Sequence, residues 1–101
     1  MLIFNTTYKV SSHIANKWLV WMQEQHIPFM LSYKDFSMPQ IAKIVGSEDE
    51  HGVSYSVQFQ IENMDKLTTW HRQNATEFQT SFQKAFGTEV QFFSTVLEII
   101  A

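Results

Sequence analysis

The chain has 101 residues, enough for one hydrophobic core and too few for two. A composition of 45% apolar and 15% aromatic residues excludes a disordered chain, because that much apolar surface offsets the entropy of ordering. A net charge of −3 with no basic run argues against a nucleic-acid or anionic-membrane surface, and the lack of cysteine excludes disulfides, thiolate metal sites and a cysteine nucleophile.

The opening residues, Met1 to Asn5, have no basic n-region and do not read as a signal peptide. No apolar run approaches the ~20 residues of a membrane span, so no membrane partner is expected and the expected location is cytoplasmic. Leu2 to Val10 is rich in β-branched and aromatic residues and predicts a first strand. Phe4, Tyr8 and Val10 fall on one of its faces, Asn5, Thr7 and Lys9 on the other. Ser11-Ser12 offers a helix N-cap, and Ile14, Trp18, Leu19, Trp21 and Met22 recur at helical spacing through His26. Pro28 is expected to stop or kink this helix, since it lacks an N–H and restricts Ile27 before it. Phe29 to Leu31 would add one short turn.

Met38 to Val45 predicts a second strand, and the polar stretch from Gly46 to Gly52 a hairpin loop. In Val53 to Ile61 the odd positions are all apolar and alternate with Ser54, Ser56, Gln58 and Gln60, the clearest strand of the chain. Asn63 or Asp65 can cap a second helix with the stripe Leu67, His71, Ala75, Phe78, Phe82 and Phe86, stopped by Gly87. Val90 to Ile100 predicts the last strand, with Phe92 and Val96 on one face and Phe93, Leu97 and Ile99 on the other.

The order β-α-β-β-α-β predicts an α+β, ferredoxin-like fold over residues 1–101. Its four-stranded antiparallel sheet has the order 4-1-3-2, with both helices on one face. A single-layer sheet should carry one polar face. The last strand is apolar on both sides, so Phe93, Leu97 and Ile99 are expected to pack against a second copy of the chain in a sheet-to-sheet homodimer.

Candidate chemistry is sparse. None of the four histidines lies three or four residues from another, so no metal site is expected. Nor is a cofactor, because glycine-rich phosphate loops are absent. His71 stands in the apolar stripe of the second helix and is the candidate catalytic or binding residue. Its structural alternative is a neutral imidazole bonded to a backbone carbonyl or to Asn74. His26 reads as a cation at a helix C-terminus, worth ~0.3–1 kcal/mol there. A pocket is expected between sheet and helices, with Tyr8, Trp18, Trp21 and Tyr55 around His71. Its ligand would be small and apolar or aromatic. Tyr55 and Phe59 share their face with the core residues of their strand, so the base-stacking surface of an RNA-recognition domain is not formed.

Four motifs carry a resemblance: N-T-T-Y-K-V at Asn5 to Val10, W-x-x-W-M-x-x-x-H-I-P from Trp18 through Pro28, Y-x-V-Q at Tyr55 to Gln58, and T-x-L-E at Thr95 to Glu98. Across nearly its whole length the chain resembles a bacterial family catalogued as domain of unknown function 4286. More distantly it resembles the dimeric α+β barrel superfamily, which includes antibiotic-biosynthesis and haem-degrading monooxygenases. That resemblance implies two sheets closing into a barrel across a dimer, with ligands between sheet and helices. Haem-degrading members use an Asn of strand one with a Trp and a His, and Asn5, Trp70 and His71 match those types. Adjacent helix positions point ~100° apart, however, and Asn5 lies on the face away from the helices. The expected function is therefore a non-catalytic small-molecule-binding or interaction module. The alternative is a cofactor-light or haem-dependent monooxygenase or isomerase.

Overall fold

The computed structural model describes residues Met1–Ala101. Strand β1 spans Leu2–Val10 and β3 spans Val53–Ile61, the bounds their alternation predicts. β2 spans Ser37–Lys43 and β4 spans Val90–Glu98. The sheet is antiparallel with the order β2-β3-β1-β4. Tyr8 faces Tyr55 on one side and Phe92 on the other, while Asn5 faces Gln58 and Thr95. The even positions of β1 and the odd positions of β3 thus share the side on which the helices lie. Sixteen buried apolar residues form the core there, Tyr8, Trp18, Met22 and Val57 among them.

The first crossover departs from expectation. A short 3₁₀ turn over Ser12–Ile14 leads into α1 (Ala15–Trp21), with Ser11 capping it by position but not by a side-chain bond. A π turn over Met22–His26 follows, and the helix continues as α2 (Ile27–Leu31). Pro28 does not end it. The Ile27 N–H reaches back five residues to the Met22 carbonyl. This wider turn lets the helix pass a residue that has no N–H of its own to give and whose ring crowds the preceding turn. The turn also aligns the buried face. Trp18, Met22, His26 and Met30 are all buried at steps of four. In a plain α-helix such a ladder drifts ~40° per step, and the π turn takes part of that drift back.

Helix α3 covers Met64–Phe86. The Asn63 side chain caps it by accepting the Lys66 N–H at 3.0 Å, and Gly87 ends it at φ 57°. Its buried line is Leu67, Trp70, Asn74, Phe82 and Phe86, with Phe78 half-buried. The stripe expected through His71 is therefore displaced by one residue, and His71 is exposed. A step of three from Leu67 buries the large Trp70 ring, which outweighs the smaller gain from an imidazole. Asn74, the polar member of the line, is satisfied. Its Oδ1 accepts the Tyr33 hydroxyl at 2.5 Å and its Nδ2 donates to the Trp70 carbonyl at 2.9 Å.

The two sheet edges differ. On β2 the pairing to β3 shifts between Ser37 and Gln40, where Met38 takes φ 52° ahead of Pro39. β4 pairs regularly with β1 over its full length but is exposed from Gln91 onward. Phe93 is 63% and Leu97 44% exposed. On the helix side Phe92 and Val96 are exposed as well, because α3 does not close over the edge strand. No helix is long and apolar enough to cross a membrane.

Candidate functional site

The gap between α3 and β4 is the mouth of a cavity of about 80 Å³. His71, Gln79, Phe92 and Ser94 stand at this mouth, all exposed. Tyr8, Met30, Phe59, Trp70 and His26 form its buried interior. A water molecule needs ~10–15 Å³ on this measure, so the space holds several waters or one small molecule.

His26 decides the character of the site. The π turn carries it inward, and it is 6% exposed. Its ring lies parallel to Trp21 with ring centres 5.5 Å apart, and its centre is 4.9 Å from that of Phe78 and 6.4 Å from that of Phe59. Burial pushes its pKa down to about 4, and no hydrogen bond to the charged form offsets that. At neutral pH the imidazole is uncharged, with one N–H donor and one acceptor lone pair.

Further polar groups are few. Thr6 Oγ1 and Ser94 Oγ share a hydrogen bond of 3.0 Å across β1 and β4. The Trp70 indole N–H is buried without a partner. Burial pushes the Tyr8 phenol up, so it keeps its proton. No Lys, Arg, Asp or Glu lines the cavity. The arrangement suits an uncharged, mostly apolar molecule with one or two hydrogen-bonding groups.

The residues singled out in the sequence fall in different places. Tyr8 and His71 line the cavity, the first in its interior and the second at its rim. Trp18 and Tyr55 stack on each other at 5.0 Å in the core and do not reach it. Trp21 lines a separate groove on the outer side of the helices. Phe93, Leu97 and Ile99 are exposed along β4 and its end.

Asn5, Trp70 and His71 do not converge. The Asn5 amide is engaged with Thr7 and Ser56 on the open face, while Trp70 is buried under the helices. These residues do not fit a haem. No three His, Asp or Glu side chains gather as metal ligands would.

His26, expected as a cation at a helix C-terminus, is instead a buried, uncharged residue inside a helix that continues past it. The signal was present in the four-residue ladder from Trp18 to Met30, which runs straight past Pro28.

The model of one family, described as Domain of unknown function (DUF4286), matches residues 1–100. No curated protein matches the chain.

Proposed function

Because the chain belongs to the DUF4286 family, whose description names no activity, its function rests on its own residues, and we propose that it is a non-catalytic, cytoplasmic homodimer that binds a small, mostly apolar molecule in the cleft between α3 and β4. The carrying observation is the Trp70 indole N–H, buried without a partner in a residue that lines that cleft. An unpaired buried polar group costs ~1–3 kcal/mol, which a phenylalanine or leucine in its place would avoid. A ligand that hydrogen-bonds to the ring removes the cost. Binding is favoured over catalysis because the His26 imidazole, with a pKa of about 4, is a weak base at neutral pH, and no nucleophile is bonded to it.

The exposed apolar residues of β4 support the homodimer. The strand's residues alternate between the two faces of the sheet, with Phe92 and Ser94 lining the cleft and Phe93 and Leu97 exposed on the open side. A second copy packed on the open side covers the apolar strip and holds the strand that walls the cleft.

Two measurements test this reading. Light scattering at micromolar concentration should report a dimer, and Leu97→Lys should convert it to monomer by placing a charge in an apolar seam. A parent monomeric at every concentration removes the dimer. For the cleft, single-ring aromatic fragments followed by two-dimensional NMR should shift the amides of Thr6, His26 and Ser94 saturably. Ala75→Leu, which fills the cavity from α3, should abolish those shifts with the fold retained. Unchanged binding in that variant places the ligand elsewhere.

A further inference from the structure

On the outer side of the helical layer a second concavity of about 220 Å³ lies between the π turn with the start of α2 and the middle of α3. Trp21, Phe29 and Phe78 line it, together with His26 and Glu77. His26 and Phe78 also line the inner cleft, so they are the partition between the two spaces.

The π turn builds this groove. Residues five apart on an α-helix point ~140° away from each other. Trp21 and His26 are five apart and nevertheless stack at 5.5 Å with 10° between their planes. The wide turn brings them onto one side, and inserted turns of this kind recur at functional sites. The three aromatic residues are half-buried, neither sealed in the core nor fully in water.

The charge of the groove has one sign. Glu77 takes part in none of the ion pairs of the chain, which involve Asp35, Glu48, Asp49, Glu50, Glu62 and Glu89. No Lys or Arg lines the groove. Buried His26 is uncharged at neutral pH and supplies no counter-charge. A carboxylate without a cation, beside aromatic rings, disfavours anions. It also offers too few oxygens for a hydrated metal ion, which takes six or more ligands. An alkylated ammonium fits both features, since its weakly hydrated methyl groups lie on ring faces and its charge is answered by the carboxylate.

We propose that the groove formed by Trp21, Phe29, Phe78 and Glu77 binds a small organic cation through a methylated ammonium group. The groove shares His26 and Phe78 with the inner cleft, but the proposal does not rest on what that cleft holds. The charge selects the ligand class, and the aromatic side chains select the methyl groups over a bare ammonium.

Choline chloride is the probe, titrated into the full chain while the Trp21 indole N–H is followed by NMR. A saturable shift is expected, with sodium chloride at equal ionic strength giving none. The uncharged isostere 3,3-dimethyl-1-butanol should bind about tenfold more weakly, because it fills the same space without the charge. Glu77→Gln, a surface change on α3, should weaken choline about fivefold and leave the melting temperature unchanged. Trp21→Leu should abolish the response, read at neighbouring amides. Absence of a saturable shift, equal binding of the isostere, or full affinity in Glu77→Gln would each overturn the proposal.

Discussion

Gly52→Ala should be the most damaging single methyl group that can be added to this chain. A Cβ at that position would lie 2.0 Å from the Val10 carbonyl oxygen and 2.7 Å from its carbon. Both are backbone atoms, so no rotamer change relieves the clash. Val10 is itself held between Val53 and Val90 at the end of β1, which leaves the main chain nowhere to move. Gly52 also has φ +135°, a conformation an L-residue rarely adopts. The expected cost is at least ~4 kcal/mol, out of the ~5–15 kcal/mol that stabilises a domain of this size. The melting temperature should fall by roughly 15 °C or more. Gly46→Ala is the comparison. It has φ +80° but open space around the new methyl, so only the backbone strain of ~1–2 kcal/mol applies. Thermal melts of the two variants separate these causes, and equal losses would show that the approach of Gly52 to Val10 does not contribute.

Acid should weaken the fold in a window set by His26. Unfolded, the imidazole titrates near 6.5, and in the fold burial pushes it down to about 4. As pH falls from 6.5 towards 4, the unfolded chain takes up a proton that the folded chain refuses. Stability is therefore complete above 6.5, falls through the window, and stops responding to this group below about 4. At ~1.36 kcal/mol per unit, the loss is roughly 3 kcal/mol. Glu48, Asp49 and Glu62 are each held below the usual carboxylate range by a lysine, so they act at lower pH and are fully exposed. His26→Phe should flatten the stability profile between pH 6.5 and 4.5. Urea unfolding at intervals across that range checks it, and equal slopes for parent and variant would remove His26 as the source.

The alternation from Val53 to Ile61 specified a strand, its bounds and its buried face, because a period of two has only one reading on a sheet with one covered side. The sheet order followed from two crossovers and a hairpin. The pairing of Phe4 with Phe59 then put the core where the pattern said it would be.

Helices were less legible. From Leu67, steps of three and four are both helical. Choosing four led to His71, whereas the bulk of Trp70 selected three. Pro28 reads as a stop or a kink because a regular α-helical turn has no place for its ring, and the structure carries the helix past it through the π turn. That single turn puts His26, expected at a helix end, into the wall of the candidate site. The mouth of the cleft depends on how far α3 stands from β4, a distance that no local pattern encodes.

The unlike edges of the sheet also set how many copies strand pairing can join. A chain that polymerises edge to edge needs two open edges, one to receive and one to offer. On β2 the irregular step at Met38 and Pro39 spoils the first, leaving the regular nine-residue β4 as the second. Quite apart from the face-to-face packing proposed above, two copies pairing along β4 would use up each other's free edge, and each would present only its guarded side to a third. Growth by strand pairing would therefore end at the pair. A repair of β2 that straightens this step, by deleting Met38 together with Pro39→Val, would turn a self-limiting pairing into one that can propagate.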